Sequence, residues 1–442
     1  MPMAAAILYD GYHLTAAAGT GIATYAKQLI LASRRSGYRA SALFGMEAVP
    51  DPSMPLLSEI GLFDAVPDMP PRRLTRILRF LRTWPGAPFG ISPVRVPMQG
   101  QVMGSGALAG LDDAYVARRT YERAKAHFQR TGRPALVKIG GRADLFHLTY
   151  PAPLKVKGAP SVVTIHDLIP LRMPSASLDD KRYYYAMVKR AADEAEHILT
   201  VSEHSRRDIV KLLGVPEAKV TNTWQPIGLP DWAADIPAEE VSRDLKNGFG
   251  LEQDGYFLFF GALEPKKNVG RLVEAYALSG SKRPLVIAGG LGWQFNDDLK
   301  RIEDDRFLNL MRDGDDSLRI ARRVRRLPYV PTELLVSLIK GARAVLFPSL
   351  YEGFGLPVVE AMSLGTAVMT STTSSLPEVA GDAALLVDPS DVREMSYAIE
   401  QLDTDDALIG ELSRKGRTRA AFFNRSDYQG RIDTVYRRVL GR

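Results

Sequence analysis

The sequence predicts an α/β protein with two doubly wound domains, and three observations lead to this fold class. The chain has 442 residues, which exceeds the size at which a single hydrophobic core stops growing. Short apolar runs, typical of strands buried on both faces of a parallel sheet, alternate with helical patterns along most of it. Residues 229–250 are rich in prolines and polar side chains and interrupt this alternation near the middle. We therefore expect two Rossmann-like halves of similar size.

The individual strands and helices follow from the hydrophobic pattern. In the first half the predicted strands are Ala4–Tyr9, Leu145–Thr149, Ser161–Ile165 and Ile198–Ser202. In the second half they are Tyr256–Gly261, Leu285–Ala288, Ala344–Pro348, Ala367–Ser371 and Ala384–Asp388. The predicted helices include Ile22–Ser36, Lys181–Glu194, Val269–Ala277, Val358–Leu364 and Val392–Leu402. The domains are then 1–228 and 251–425, joined by a linker at 229–250, with a C-terminal helix at 426–442 that can cross back to the first domain.

Composition excludes several functions. The sequence contains no cysteine, so disulfides, thiolate catalysis and Cys-ligated metals are ruled out. The N-terminal stretch MPMAAAILYDGYHL lacks the features of a signal peptide, and no apolar run reaches the length of a membrane span. We expect a cytoplasmic protein, with peripheral attachment to the inner face of the membrane as a further option.

Positive charge is concentrated in one segment. The chain carries 57 Lys and Arg against 51 Asp and Glu, but residues 66–142 carry fourteen against four. This segment is also rich in Pro and Gly, and we predict an insertion in the first domain, partly loop. Within it, RRLTRILRFLR (72–82) predicts a basic amphipathic helix that would lie either on an anionic membrane or on its own domain. Its candidate contact residues are Arg72, Arg73, Arg76 and Arg79.

A first candidate site follows the predicted strand AVLFPS. The stretch SLYEGFGLPVVEAM (349–362) places two glutamates, Glu352 and Glu360, around a Gly-rich turn and a helix start. Free amides at a helix N-terminus bind anions, and ligands of open α/β sheets bind at the carboxyl ends of strands. Two carboxylates beside such a seat suit hydroxyl groups of a sugar and a ribose. Alternatively, Glu360 is a helix-dipole charge and Glu352 a solvated loop residue.

Three further segments place polar or glycine residues after predicted strands. FFGALEPKKNVGRL (259–272) contains Gly261, Lys266 and Lys267. The two lysines would either bind a diphosphate or form a solvated pair at a helix start. YDGYHLTAAAGTGIATYAKQL contains Gly19 and Gly21, which fit a ligand-covering loop or a plain left-handed turn, but no third glycine for an NAD fingerprint. In SVVTIHDLIPL (161–171), His166 and Asp167 follow the predicted strand and are either a substrate-facing or a structural pair.

The second half resembles the retaining glycosyltransferases of family four. SLYEGFGLPVVEAMSLGTAVMTSTTSSLPEVAGDAALLVDPSD is similar to the signature region of that family, with Glu352 and Glu360 as its Glu-x7-Glu motif. FFGALEPKKNVGRL is similar to its G-x-L-x-P-x-K-N segment. The resemblance implies the GT-B fold, in which two Rossmann-like domains face each other across a cleft.

The resemblance also implies roles for the site residues. Glu360 would bind the nucleotide ribose, Glu352 the donor sugar hydroxyls, and Lys267 the phosphate, helped by Lys266. The amides around Gly353, Phe354, Gly355 and Leu356 would face the donor sugar and diphosphate. His166 would reach toward the reaction centre, and the loop with Gly19 and Gly21 would close over the diphosphate. Many members have an arginine after the glycine of the lysine segment, where this chain has Ala262.

The expected function is a retaining hexosyltransferase that uses a nucleotide diphosphate sugar and no metal or other cofactor. Similarity to mannosyltransferases of bacterial surface polysaccharides favours GDP-mannose over a UDP-hexose. The acceptor would be a glycan or a lipid-linked glycan, and we expect no nucleic acid partner. The alternatives are an epimerase or phosphorylase on the same fold, or a non-catalytic subunit that binds sugar nucleotides.

Overall fold

The structure is a computed structural model that describes residues 4–14, 21–47, 54, 59–60, 62, 87–98, 110–292, 296–304, 307–312 and 318–442. The chain folds into two compact units. The first unit comprises Met1–Pro226 together with Arg425–Arg442, and the second unit comprises Ile227–Asn424. Gly19 and the arginines of the predicted basic helix, Arg72, Arg73, Arg76 and Arg79, lie outside the described residues.

The first unit is built on an eight-stranded sheet in the order β10-β9-β8-β6-β1-β2-β4-β3. Every neighbouring pair is parallel except β3 and β4 at one edge, and β5 and β7 form a small parallel pair. The strands are β1 Ala6–Asp10, β2 Arg39–Met46, β3 Val94–Pro97, β4 Asp113–Arg118, β5 Ala135–Val137, β6 Leu145–Leu148, β7 Leu154–Val156, β8 Ser161–Thr164, β9 His197–Thr200 and β10 Val220–Asn222. Helices of this unit are α1 Gly21–Arg35, α2 Thr120–Thr131, α3 Ile169–Arg172, α4 Lys181–Glu194, α5 Glu203–Leu213 and, at the C-terminus, α14 Arg425–Val439.

The second unit has a six-stranded parallel sheet in the order β15-β12-β11-β16-β17-β18, and an antiparallel pair formed by β13 and β14. Its strands are β11 Phe257–Phe260, β12 Leu285–Ala288, β13 Leu308–Arg312, β14 Leu318–Arg322, β15 Val324–Leu327, β16 Ala344–Phe347, β17 Ala367–Ser371 and β18 Leu385–Val387. Its helices are α6 Ala238–Asp244, α7 Val269–Leu278, α8 Asn296–Ile302, α9 Thr332–Gly341, α10 Leu356–Ser363, α11 Leu376–Ala380, α12 Val392–Thr404 and α13 Asp406–Ala420.

The apolar runs that predicted strands in the sequence form buried strands in both sheets. All side chains of β11 (FLFF), β12 (LVIA) and β16 (AVLF) are buried, as expected when helices cover both faces of a parallel sheet. The predicted strands and helices occur with their ends shifted by at most two residues. The α/β class with two doubly wound parallel sheets is therefore confirmed.

Each sheet reverses its strand order at one point, and this position matters for function. In the first unit the order reverses between β1 and β6, and in the second unit between β11 and β16. The loops that leave the two neighbouring strands diverge there, which opens a crevice outside their carboxyl ends. Ligands of open α/β sheets bind at such switch points.

The structure differs from the sequence prediction in two segments. Residues 229–250, predicted as the linker, lie within the second unit, and α6 together with a π-helical turn at Leu245–Phe249 occupies most of them. Val241 and Leu245 are fully buried in the second unit, one helical turn apart. This short helix was not predicted, because its few apolar residues lie close to prolines and show no helical periodicity.

The later part of the predicted insertion at 66–142 is integral to the first sheet. Strand β4 pairs in parallel with β2 along six residues, and α2 follows directly. Asp113 begins β4 and forms an ion pair with Arg95 of β3 at 2.9 Å, so charged residues frame a strand whose interior is apolar. No helix in the described part of the chain is both long and apolar enough to cross a membrane.

Candidate active site

The loops after β11 and β16 meet at the switch point of the second unit. The amide of Leu350 donates to the carbonyl of Lys266 at 2.7 Å, which ties the two loops together. Asn268 adopts a left-handed conformation with φ 61° and is buried. Its Nδ2 donates to the carbonyls of Pro348, at 3.1 Å, and Pro389, at 2.7 Å. The lysine segment and the first glutamate are thereby held at one sheet edge.

Glu352 and Lys267 form a buried ion pair at this edge. Lys267 Nζ lies 2.6 Å from Glu352 Oε1, and the side chains are 12% and 8% exposed. The same ammonium lies 4.7 Å from the centre of the Phe347 ring, a favourable cation–π contact. Lys266 Nζ lies 3.8 Å from Glu352 Oε2 and 3.7 Å from Glu264 Oε2. Lys266, Lys267 and Glu352 are all largely shielded from solvent. The alternative interpretations, a solvated lysine pair and a solvated loop glutamate, therefore do not fit the structure.

The lysines determine the charge state of Glu352. Burial by itself raises the pKa of this carboxyl, but Lys267 and Lys266 outweigh burial and hold the pKa below its usual range. Burial has the opposite net result for Glu264, whose pKa is raised although both lysines oppose it. Glu352 is therefore a carboxylate at neutral pH, with Lys267 as its near and Lys266 as its more distant positive partner.

The start of α10 narrows the predicted set of anion-binding amides. Gly355 caps the helix at φ 109°, a conformation that favours glycine. Its carbonyl accepts from the amides of Val358, at 3.0 Å, and Val359, at 3.4 Å. Pro357 has no amide hydrogen, so Gly355 and Leu356 supply the amides that remain for a ligand at the start of this helix, within the residues described. The prediction had named the amides around Gly353, Phe354, Gly355 and Leu356.

Two other predicted residues of this turn serve the fold. The side chain of Phe354 is buried and packs edge-on against Phe423, with the ring centres 5.3 Å apart. Gly353 is also buried, between Phe354 and Glu352. Both residues shape the turn, and the predicted contact of their main-chain amides with a donor stays a prediction.

Glu360 lies in the second turn of α10, half-buried. Burial raises its pKa to about 7. The first turn of α10 contains no acidic residue, so Glu360 is not placed as a helix-dipole charge. A carboxyl that is buried in this way gains most from a ligand that donates hydrogen bonds to it.

A row of hydroxyl groups that sequence reasoning missed holds the glutamate loop. Ser375 Oγ donates to two carbonyls, those of Glu352 at 2.9 Å and Phe354 at 2.8 Å. The neighbouring side chains make similar bonds: Thr370 to Phe347, Ser371 to Ser349, Thr373 to Leu350, and Ser374 from the Glu352 amide. The signal in the sequence is the run TSTTSS directly after an apolar strand. These hydrogen bonds hold the main chain of the loop that carries Glu352.

Gly261 ends β11 beside the equivalent end of β12. A Cβ atom on Gly289 would lie 1.9 Å from the Gly261 carbonyl oxygen, so the ends of strands β11 and β12 approach more closely than residues with a side chain would allow. Ala262, which follows Gly261, is exposed. The edge of the sheet is therefore open at the position of the arginine that the family pattern has there.

The predicted residues of the first unit lie at the carboxyl edge of its own sheet. His166 follows β8, with Nε2 at 3.0 Å from the Thr149 carbonyl and its ring edge-on to Tyr25, 4.6 Å between centres. Burial lowers the pKa of His166 to about 4, so the imidazole is neutral. Asp167 accepts from the amide of Ile169, the first residue of α3, at 3.0 Å, and Gly21 begins α1.

The fold and the charged edge of the second unit define a class of enzyme, and comparison with known proteins identifies it. The model described as glycosyl transferases group 1 matches residues 242–419, and the model of glycosyltransferase family 4 matches residues 104–222. The chain belongs to the glycosyltransferases of this family, which have the GT-B fold. Among the described residues, no group of three or more His, Asp or Glu side chains is arranged to hold a metal ion.

The curated relatives include enzymes of O-antigen assembly. The chain is 36% identical over 269 residues to O-antigen chain mannosyltransferase B of Escherichia coli, covering 60% of this chain and 66% of that protein. It is 26% identical over 293 residues to the serotype-specific mannosyltransferase WbdA of Escherichia coli. That match spans 64% of this chain but only 34% of WbdA, so the chain corresponds to about a third of that relative.

Solved structures share the fold over nearly the whole chain. Sucrose-phosphate synthase from Thermosynechococcus elongatus aligns with a TM-score of 0.65 at 19% identity, covering 99% of both chains. Anabaena HepE in complex with UDP-glucose aligns with a TM-score of 0.61 at 14% identity, covering 98% of this chain and 99% of that chain. At these identities the likeness concerns the fold.

Proposed function

We propose that this protein transfers mannose from GDP-mannose to a hydroxyl group of a growing surface glycan, free or lipid-linked, with retention of anomeric configuration. The observation that carries the proposal is the buried Lys267–Glu352 pair at the switch point of the second unit, 2.6 Å apart. It supplies a cation for a diphosphate and a carboxylate for sugar hydroxyls at one sheet edge. The relatives named as mannosyltransferases support the choice of mannose.

Donor binding would exchange the partners of this pair. The diphosphate takes the place of Glu352 as the partner of Lys267, and the amides of Gly355 and Leu356 bind its oxygens. Glu352, released from Lys267, accepts hydrogen bonds from the hydroxyl groups of the transferred sugar. Glu360, eight residues further along, accepts from the ribose. Every charged group then keeps a partner, as burial requires.

The chemical step that fits these residues is a displacement on one face of the sugar. As the bond from the anomeric carbon to the diphosphate oxygen breaks, negative charge grows on the diphosphate. Lys267, Lys266 and the start of α10 stabilise that charge, and such preorganised electrostatics is usually the largest contribution to catalysis. The departing oxygen takes the proton of the acceptor hydroxyl, whose oxygen bonds to the anomeric carbon on the same face. The lysines provide the positive charge, so we propose that no metal is needed, and activity should persist in EDTA.

The assay is nucleotide release and product formation by the purified protein with GDP-mannose, UDP-glucose and GDP-fucose. We expect GDP-mannose to be used preferentially, and the anomeric configuration of the product is read from its NMR coupling. Glu352→Gln and Lys267→Met should lower transfer at least 100-fold, and the exposed Glu400→Gln and Lys246→Met serve as controls. Full activity of Glu352→Gln would refute the residue assignment.

The same assay separates the alternatives. A phosphorylase would depend on inorganic phosphate, and an epimerase would return an altered nucleotide sugar without an acceptor. A non-catalytic subunit would bind GDP-mannose, seen as a rise in melting temperature, but release no nucleotide. Attachment to an anionic membrane through residues 72–82 stays a separate prediction, tested by flotation with anionic vesicles.

A further inference from the structure

Six buried polar side chains form one hydrogen-bonded network in the first unit, between its sheet and the helices α1 and α14. They come from α1, from the strands β1, β6 and β8, and from the C-terminal helix α14. The six residues, each at most 1% exposed, are Tyr9, Tyr25, Ser33, His147, Thr164 and Tyr436. Polar groups at this depth need partners, so the network specifies how the two helices pack on the sheet.

His147 on β6 joins the two halves of this network. Its Nδ1 lies 2.6 Å from the hydroxyl of Tyr436 on α14, and its Nε2 lies 2.8 Å from the hydroxyl of Thr164. Burial lowers the pKa of His147 to about 3, so the imidazole is neutral, with one nitrogen as donor and the other as acceptor. The C-terminal helix is thereby connected to Thr164, the last residue of β8.

One end of the network reaches His166. The hydroxyl of Thr164 lies 2.9 Å from the hydroxyl of Tyr25, which is on α1. The ring of Tyr25 packs against the imidazole of His166, with 4.6 Å between the ring centres and 86° between the ring planes. The network therefore ends on the histidine that the sequence predicted to reach toward the reaction centre.

The other end of the network closes on α1 as well. The hydroxyl of Tyr9 donates to Ser33 Oγ at 2.6 Å, and Ser33 Oγ donates to the carbonyl of Leu29 at 2.8 Å. The hydroxyls of Tyr9 and Tyr436 are 3.3 Å apart. The helix α1 is thus held at Ser33 and at Tyr25, about two helical turns apart. It cannot slide or rotate without breaking buried hydrogen bonds, which fixes the ring of Tyr25.

The contact with Tyr25 supplies what the hydrogen bond of His166 does not. Nε2 of His166 lies 3.0 Å from the carbonyl of Thr149, which can only accept, so Nε2 carries the proton and Nδ1 is an acceptor. This one hydrogen bond fixes the position of Nε2 but not the plane of the ring. The perpendicular ring of Tyr25 restricts rotation of the imidazole about that bond.

We propose that Tyr25 is a positioning residue, which holds the imidazole of His166 in the orientation that the transfer reaction uses. The effect on the reaction rests on the proposed function, whereas the effect on the orientation of His166 does not. Tyr25 was not among the residues that the sequence singled out, because its partners lie on other strands and helices. Small displacements of a group at a reaction centre are costly, so Tyr25 affects the rate without touching a substrate.

Two variants of Tyr25 separate its ring from its hydroxyl. Tyr25→Leu removes the ring that contacts His166 and should lower kcat at least tenfold, while the KM for the donor changes less than twofold. Tyr25→Phe keeps the ring but loses the bond to Thr164, and should lower kcat only about threefold. Phe128→Leu, which removes a buried ring from α2 of the same unit, is the matched control and should keep the wild-type kcat. Wild-type kcat in Tyr25→Leu, or equal losses in the two Tyr25 variants, would overturn the proposal.

Nitrogen-15 NMR of the histidine rings, recorded without substrates, measures the orientation of His166 directly. His166→Gln identifies its signals in the full-length protein labelled at histidine. We expect a single form protonated at Nε2 in the wild-type protein and in Phe128→Leu. In Tyr25→Leu the two nitrogens should move toward averaged shifts, with a smaller change in the same direction in Tyr25→Phe, which provides the result if Tyr25→Leu does not fold.

The two measurements also distinguish this inference from the proposed function. If the protein transfers sugar but the His166 signals are the same in the wild-type protein and the Tyr25 variants, the positioning role is wrong although the proposed function holds. If the signals respond as expected but no donor is turned over, Tyr25 still orients His166 and the proposed function fails.

Discussion

The ammonium of Lys267 lies 2.6 Å from a carboxylate oxygen of Glu352, joining the loops after β11 and β16. Taking both groups out of water costs free energy that their attraction only partly returns. The pair nevertheless keeps each group desolvated and fixed before a donor arrives. Under the proposed function a donor replaces the partner of each group in a site that is already desolvated, and preorganised electrostatics of this kind is usually the largest contribution to catalysis.

The first prediction concerns the two partners of this pair. Lys267→Met should lower the free energy of unfolding by about 1–3 kcal/mol, because it removes the nearest donor to the buried Glu352 carboxylate and leaves Lys266, at 3.8 Å, as its remaining cation. The double variant Lys267→Met with Glu352→Gln should recover most of this loss and still transfer no sugar. Urea unfolding measures the first effect and nucleotide release the second. If the losses of the two single variants simply add in the double variant, the pair is not coupled as the distance implies.

The second prediction concerns pH and Glu360. Burial raises the pKa of this carboxyl from 4.5 to about 7 in the folded protein. The folded state therefore holds the Glu360 proton more tightly than the unfolded state does, which stabilises the folded protein. This stabilisation is complete below pH 4.5 and is lost as the pH rises toward 7. Between pH 5 and 8 the wild-type protein should lose on the order of 2 kcal/mol relative to Glu360→Gln.

The difference between the two proteins is the informative quantity in this experiment. Burial also raises the pKa of Asp10 to about 7, and its contribution cancels in the comparison. Urea midpoints measured at several pH values provide the data. Parallel pH profiles for wild type and Glu360→Gln would contradict the burial of an ionisable Glu360. Binding of GDP should show the opposite trend, because only the ionised carboxylate accepts from both ribose hydroxyls.

The elements around this site were predictable from sequence because their patterns are local. The buried strand AVLF, the glycine and proline at the start of α10, and the two lysines could each be read from adjacent letters. Their contacts could not, because the Lys267–Glu352 pair joins residues that are 85 positions apart. The roles of Asn268 and Ser375 were missed for the same reason, since their partners lie on other strands.

The fold was predicted least well where a strand or helix is short or flanked by charge. Residues 113–118 form a strand of the first sheet, next to its edge strand β3, but arginines and a Gly-rich stretch around them favoured an insertion. Residues 238–244 form a helix with a single buried side chain, Val241, which no periodicity can identify. Tertiary packing decided both cases.

The third prediction concerns Ser375, which holds the glutamate loop. Ser375→Ala removes the donor to the carbonyls of Glu352 and Phe354, which are 2.9 and 2.8 Å from its Oγ. Stability should fall by about 1–3 kcal/mol, because buried carbonyls are left unpaired. The rate of transfer should fall about tenfold, since small displacements of a positioning loop are costly. Ser363→Ala is the control, because its hydroxyl bonds only to the Glu360 carbonyl within α10. Wild-type kcat and donor KM in Ser375→Ala would show that the loop keeps its position without this bond.

The last prediction concerns Ala262, where the family pattern has an arginine. Ala262 is exposed and follows Gly261 at the end of β11, so a long side chain can be accommodated there without displacing the core. If the donor diphosphate lies along this edge, Ala262→Arg adds a charge-assisted hydrogen bond worth about 1.5–3 kcal/mol. The KM for the donor should then fall about tenfold, and more steeply at low ionic strength, because the added contact is electrostatic.

Ala262→Gln separates charge from size in this experiment, since glutamine adds bulk and hydrogen-bonding capacity without charge. A donor KM that falls with arginine and not with glutamine places the diphosphate beside Gly261, as the Lys267–Glu352 pair leads us to expect. Equal values for the two variants would place the diphosphate elsewhere and leave Lys267 with a structural role. In that event Lys267→Met would still destabilise the protein but would no longer abolish donor binding, so the two experiments check each other.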